Sequence, residues 1–384
     1  TSVTTAAVVA GGPRASAVDF AIVHAAIYDA VNAIDGRHAV YKVDPAAPTA
    51  GASKEAAAAA YRTLKGLFPA QAATFDVAYA TSIASIPNGS SKSRGIAVGE
   101  EVAARMLELR SNDGRTAPAP VYQFGTGPGV YQATVPFPPA GQPINTWLPN
   151  VTPMVINAPW QFRAYGPPGL TSARYTKDLL ETRAWGSSTS TLRSEAQSEI
   201  ARFHTENPNQ FWGRNFGAFV ARRNLGTAGS ARLMALLAFA QADAAIACFD
   251  SKYAYDFWRP STAIQQADTD GNPQTSPDAA WTSFVNTPPH PEYPAAHACL
   301  AGATAETIRA YFGTRHVKLA FDSTVTGMTH YYRTTDDLVG EIIDARVYGG
   351  MHYRLSGEAG AVLGRQVAKW IGHHSLEKVK SGKR

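Results

Sequence analysis

Three short segments concentrate ionisable residues that a helical core would not otherwise select. The first is KYAYDFWRP, residues 252–260, in which Lys252 and Arg259 lie seven apart. On a helix that spacing is about two turns and nearly one azimuth, so two cations can face one point. Pro260 ends such a helix or caps a turn, and it biases Arg259 toward an extended backbone. A surface cation pair with its stems along the aromatics is the other reading. The second segment, PPHPEYPAAH at 288–297, runs through prolines into a helix start. Free N–H groups and the positive dipole end there form an anion seat, and His297 in the first turn can exchange protons with whatever binds. A cation site of His290, Glu292 and His297 is a rival, although their spacing does not match H-E-x-x-H. A rigid structural loop is another. The third segment is ARVYGGMH at 345–352. Arg346 and His352 would lie about 120° apart on a straight helix, and Gly349-Gly350 can break it so that both converge. An ordinary helix end explains the glycines equally well. Together the segments supply one lysine, two arginines, two histidines and a helix N-terminus, a set suited to a tetrahedral or trigonal-bipyramidal oxyanion.

The elements that must position these groups are helical. Apolar residues recur at helical spacing over 15–34, 53–68, 69–86 and 90–111, which predicts an N-terminal bundle over about 1–111. From 112 to 172 Pro and Gly recur and no apolar period survives, so this stretch is expected to be an ordered connector. Its Trp147, Trp160 and Phe162 argue that it packs over the surface and helps wall the site. Helical pattern resumes at 176–184, 194–206, 211–223, 230–249, 295–312, 336–348 and 357–373, giving a C-terminal bundle with the active site over about 173–374. Alternating strand patterns are nearly absent. The expected class is all-α, two linked helical bundles with long Pro/Gly-rich loops, in one domain over 1–384.

Composition narrows the function classes. The 384 residues are 45% hydrophobic and 17% charged, which excludes global disorder. The net charge of +5 divides unevenly: residues 375–384 hold four cations against Glu377, a basic solvated tail of +3, and the rest of the chain carries +2. A nearly neutral body with a basic tail is poor support for nucleic-acid binding. Cys248 and Cys299, the two cysteines, exclude a disulfide scaffold and a Cys-rich zinc module. They read as two buried thiols, with a disulfide between them as the alternative. The longest apolar stretch, 233–249, is interrupted by Gln241 and Asp243 and is short for a bilayer, so no membrane span is expected. Asp243 and Asp250 are candidates to orient one of the site's cations. No basic n-region precedes the small residues after Thr1; a removed leader, with a secreted or periplasmic protein, and a trimmed chain are both compatible with this.

The order Lys252-x6-Arg259-Pro260, Pro294-x-x-His297, Arg346-x5-His352 resembles the vanadium-dependent haloperoxidase and type-2 phosphatidic acid phosphatase superfamily. The likeness extends to VHAAIYDAVNAI near the start and to ADAAIACFDSKYAYDFWRPSTAI, TPPHPEYPAAHA and ARVYGGMHYR, and so covers most of the chain. These segments look like soluble bacterial haloperoxidase-like members. The resemblance implies that Lys252, Arg259, Arg346 and the Ala296 main-chain N–H bind the oxygens of vanadate, for which phosphate or sulfate can substitute. His352 would be the vanadium ligand, or the nucleophile of a phosphatase. His297 would be the acid–base group, and His290 and Trp258 would belong to the halide and substrate pocket. Histidine at 290 leans toward bromide or iodide over chloride. The implied partners are hydrogen peroxide, a halide and a small organic acceptor. Vanadium keeps its highest oxidation state in such enzymes, so no haem is called for. A homo-oligomer is compatible with all of this.

The chain departs from the family pattern in three places. Pro-Ser-Gly-His becomes Pro294-Ala295-Ala296-His297, which removes a serine hydroxyl from the oxyanion; one charge-assisted hydrogen bond is about 1.5–3 kcal/mol, roughly ten- to a hundredfold in affinity. Ala345 stands where Ser usually precedes the second Arg, and Ser356 stands where phosphatase-type members often have Asp. Besides the haloperoxidase, two readings therefore stand: a soluble acid phosphatase working through a phosphohistidine at His352, and a vanadium-independent or non-catalytic homologue that keeps the scaffold.

Overall fold

The structure is a computed structural model that describes residues 1–12, 14–47, 49–52, 56–134 and 141–379. Its central element is the 30-residue helix α9 (Gly226–Tyr255), buried on all sides along most of its length. A helix apolar on every face must be enclosed by others, and α2 (Ala17–Asp35), α11 (Ala296–Phe312) and α13 (Arg354–His374) pack around it. Both polar interruptions of α9 are satisfied. Gln241 donates to Leu300 O and Thr304 Oγ1, and Asp243 accepts from the N–H groups of Met154, Val155 and Ile156 at 2.6, 2.8 and 3.0 Å. α2 and α9 are also long and apolar enough to cross a membrane, but 78% and 94% of their apolar windows are buried inside the protein.

The N-terminal bundle joins α2, α3 (Ala56–Leu67), α4 (Ala72–Ala84) and α5 (Ser90–Leu109). α2 starts in a capping box, with Asp19 accepting from Ser16 N–H and Ser16 Oγ from Val18 N–H. The C-terminal bundle contains α6 (Ala173–Trp185), α7 (Glu195–Phe203), α8 (Pro208–Ala221), α9, α11, α12 (Thr335–Tyr348) and α13. α11 and α13 approach so closely that a Cβ at Gly364 would lie 2.0 Å from Cys299 O and one at Gly302 2.3 Å from Ala361 O. Only glycine fits these positions, and the contact sets the direction of α11, whose first turn carries His297.

The molecule is mostly helical, as expected, and several details differ from the sequence reading. α1 (Ser2–Ala10) buries Thr4 and Thr5 and exposes Val3 and Val9, so no apolar face announces it, and the hairpin β1 (Leu319–Asp322) and β2 (Thr329–Tyr332) is built of four-residue strands, too short to read. The charged end of the chain is not wholly a solvated tail. Leu376 is buried, Ala39 N–H donates to Glu377 O and Val379 N–H to Arg37 O, while 380–384 lie outside the described residues. In the connector, Arg110 donates to Thr152 O and Pro153 O, and Arg163 pairs with Asp250 at 2.7 Å. Asp243 and Asp250 thus fasten this loop to α9 rather than orienting Lys252, Arg259 or Arg346. Trp147 is buried and Phe162 packs on the core, but Trp160 is exposed.

Candidate active site

α9 ends where Asp256 turns left-handed (φ 49°), so Arg259 lies beyond the helix in extended backbone (φ −77°, ψ 154°). Pro260 is the first residue of the short α10 (Pro260–Gln265). The two cations therefore do not converge through a shared helical azimuth; the chain turns back instead. Lys252 Nζ donates to Pro291 O and Glu292 O, both at 2.9 Å. Arg259 ties the second and third segments together: Nε donates to His290 O at 2.9 Å, Nη2 to His290 Nδ1 at 3.0 Å, and Nη1 to Met351 O at 3.0 Å and His352 Nε2 at 3.1 Å.

Arg346 is in the last turn of α12, and the chain reverses through Gly349 and Gly350 to bring His352 to the same place. Gly350 has φ +76°, and a Cβ there would meet Gly186 O at 2.3 Å, so no other residue fits this reversal. Arg346 Nη1 donates to His204 O and Nη2 to Met351 Sδ, and its buried Nε has no partner. The third motif participant, α11, begins at Ala296 with Ala295 as N-cap and no side-chain cap. Among the described residues the N–H groups of Ala296 and His297 find no acceptor.

Glu292 is the group that sequence reasoning missed as a member of this cluster. Wholly buried, its Oε1 accepts from His352 Nδ1 at 2.8 Å and Tyr353 N–H at 3.1 Å, and its Oε2 from Ser356 Oγ at 2.6 Å. Because Arg259 can only donate, His352 carries its proton on Nδ1 and presents a lone pair at Nε2. Carboxylate orientation of an imidazole in this way fixes both tautomer and ring plane. The only sequence signal was a glutamate inside a proline-rigidified loop.

Burial sets the electrostatics. It pulls Lys252 down to about 8, and with Arg259 nearby it pulls Arg346 down to about 9; Arg259 falls to about 10 by burial, against the pull of Glu292. Glu292 is pushed up to about 7 by burial, against the Ser356 hydrogen bond and the charges of Arg259 and Lys252. His297 and His352 are held well below the ordinary histidine value, first by burial and then by the surrounding cations, and so are neutral near pH 7. The charge of one buried carboxylate, Glu292, acts on Lys252 and Arg259, and none acts on Arg346, which leaves an uncompensated positive site of the kind that costs free energy unless an anion fills it.

A cavity of about 640 Å³ reaches this cluster, with Ala296, His297, His290, Arg346 and Met351 on its floor. Lys252, Arg259 and His352 lie behind that floor, bonded to the loops that form it. Ile144 and Leu148 of the connector form part of the wall. Trp258 is not brought to the cavity: successive side chains of an extended segment point to opposite sides, and while Arg259 faces the cluster, Trp258 is buried against Tyr175, Phe257 and Tyr353. No three His, Cys, Asp or Glu side chains converge for a metal among the described residues, so His290, Glu292 and His297 do not form a cation site. Cys248 and Cys299 are free, buried and 2.7 Å apart beneath the cluster.

Residues 232–381 match the family model of the VCPO second helical-bundle domain. The vanadium chloroperoxidase of Curvularia inaequalis is 33% identical over 106 residues; the match spans 25% of this chain and 17% of that protein. Among solved structures, a bacterial vanadium-dependent iodoperoxidase superposes with a TM-score of 0.80 at 22% identity over 99% of this chain and 97% of its own. An apo-type bacterial vanadium-dependent chloroperoxidase superposes with 0.74 at 18% identity, over 94% and 93%. The chain is therefore a homologue of vanadium chloroperoxidase, with that family's second helical-bundle domain at residues 232–381 and the fold of the bacterial vanadium-dependent haloperoxidases over nearly its whole length.

Proposed function

We propose that the protein is a vanadate-dependent haloperoxidase that uses hydrogen peroxide to oxidise a halide, bromide or iodide in preference to chloride, and halogenates a small organic acceptor. The observation that carries this reading is the buried, uncompensated cation cluster around the lone pair of His352 Nε2. Its donor set fits vanadate: Lys252, Arg259 and Arg346 supply charge, Arg346 Nε is unpartnered, and the Ala296 N–H is free. These groups would hold the oxygens and His352 Nε2 the metal, with Arg259 Nη1 giving up its bond to that nitrogen. When bound, vanadate supplies Lewis-acid activation of peroxide at a constant oxidation state.

The chain's own contribution is placement and proton handling. Neutral His297, on the cavity floor, is suited to take a proton from incoming peroxide. His290 both lines the cavity and steadies Arg259, which supports its assignment to the halide side. The largely apolar walls favour an organic acceptor over a highly charged one. Halogenation of a monochlorodimedone-like acceptor by vanadate-loaded protein tests the proposal. Hydrolysis of p-nitrophenyl phosphate with phosphate trapped on His352 would replace it by the phosphatase reading.

Two further results are expected. Sulfate binding should weaken as pH rises through about 8, because the anion favours charged Lys252 and burial has brought that lysine's pKa down to about 8. Affinity is full below that pH and falls about tenfold per unit above it while one proton is linked; calorimetry with sulfate, which does not itself titrate there, reads the slope, and Lys252→Met should flatten it. Ala295→Ser restores the hydroxyl at the start of α11 and should tighten vanadate binding by about ten- to a hundredfold. A higher melting temperature with unchanged affinity would mean that the serine caps α11 instead.

A further inference from the structure

His297 faces two spaces. One is the main cavity; the other is a small cavity behind it, about the size of one water molecule, whose walls include His204, Glu206, Phe211, Trp212 and Ile342. His204 is buried beyond the end of α7, its carbonyl held by Arg346 Nη1. Its Nε2 lies 3.0 Å from Glu341 Oε1, and its Nδ1 has no partner among the described residues. The same Glu341 oxygen accepts from His330 Nδ1 at 2.8 Å and Tyr332 Oη at 2.6 Å, and His330 Nε2 lies 2.8 Å from Glu199 Oε2. His330 is stacked on Phe203, which keeps its ring in line. The side chains are 1% exposed at His204, 21% at Glu341, 15% at His330 and 27% at Glu199, so the row meets solvent from Glu341 onward. A continuous line of proton-carrying groups thus connects the small cavity with solvent.

We propose that His204 is a proton-relay residue for His297. This rests on the reading of His297 as the acid–base group. A water in the small cavity donates to His204 Nδ1 as it takes the proton released by His297, and His204 becomes an imidazolium beside the Glu341 carboxylate. Its Nε2 proton passes to Glu341, whose carboxyl is 21% exposed and gives the proton up to solvent, and a flip of the now neutral His204 ring returns its remaining proton to the Glu341 side. Each group ends with the protons it began with, and one proton has crossed from the site to solvent. The charges facing His204 suit this use. Burial opposes its protonated form most, Glu341 favours it, and Arg346, His330 and, across the cavity, His297 oppose it, so the proton is taken up and passed on rather than kept. Glu206, the remaining carboxylate at the cavity, is engaged by Arg214.

The test uses His204→Gln, whose amide can still donate to Glu341 but cannot carry a proton. In metal-free protein, the imidazole nitrogen signals of His297 followed by NMR against pH should titrate in two coupled steps in the parent and in one step in the variant. In vanadate-loaded protein, kcat for halide oxidation should fall about a hundredfold with vanadate affinity unchanged. His330→Gln, which removes an imidazole beside Glu341 but no carrier of the proton, should show a smaller loss. Identical His297 titration and unchanged kcat in His204→Gln would overturn the relay. His297→Ala separates the two ideas: if it binds vanadate and retains full kcat, the acid–base reading fails, whereas its inactivity beside an unaffected His204→Gln overturns the relay alone.

Discussion

Replacing Glu292 by glutamine should lower vanadate affinity by about ten- to a hundredfold, the usual cost of losing the group that orients a ligating histidine. The carboxylate accepts three hydrogen bonds, from His352, Tyr353 and Ser356. An amide must turn its NH₂ toward at least one of those donors. Either His352 loses the acceptor that holds its proton on Nδ1, or Ser356 and Tyr353 are displaced and the ring shifts with them. The effect should depend on pH in a defined direction. Glu292 has been pushed up to about 7, so the parent carboxylate is itself neutralised as pH falls through that value. The difference between parent and variant is then largest above pH 7 and narrows below it, and calorimetric titration with vanadate on both sides of pH 7 measures this. An unchanged affinity would show that His352 is held by packing alone.

Arg346→Met should separate binding from stability, with opposite signs. The guanidinium is buried, has no carboxylate partner and leaves Nε unbonded. Two charge-assisted bonds to an oxyanion at about 1.5–3 kcal/mol each correspond to a loss of roughly 10²- to 10⁴-fold in affinity when they are removed. In metal-free protein, however, the same change replaces an uncompensated buried charge by an apolar chain of similar length beside Met351. That should raise unfolding free energy by about 1–3 kcal/mol. Denaturant unfolding of the metal-free proteins and vanadate calorimetry give the two numbers. A variant that is both weaker in binding and less stable would indicate that the bonds to His204 O and Met351 Sδ are structural supports rather than a site awaiting an anion.

Much of the fold was legible because helical periodicity is local. The segments that form α2, α5, α11 and α12 can be read from their apolar spacing and boundary residues. α1 could not be read because it buries Thr4 and Thr5 and exposes Val3 and Val9, so hydropathy does not mark its inner face, nor the hairpin because its strands are only four residues long. The three motif segments do meet, but the geometry that joins them is tertiary. Lys252 and Arg259 approach through a left-handed turn at Asp256 rather than along one helix face, and Arg346 and His352 through the reversal at Gly350. Glu292 could not be recognised as the partner of His352, sixty residues away, because no local pattern links them. Trp258 illustrates the reverse: a residue adjacent to Arg259 in sequence points the other way in space.

The most direct test of the account is peroxide-dependent halide oxidation by metal-free protein titrated with vanadate. Oxidation of bromide or iodide should appear in proportion to vanadate, reach its limit at one equivalent per chain, and be absent in His352→Ala. No oxidation of iodide, bromide or chloride at saturating vanadate would contradict it.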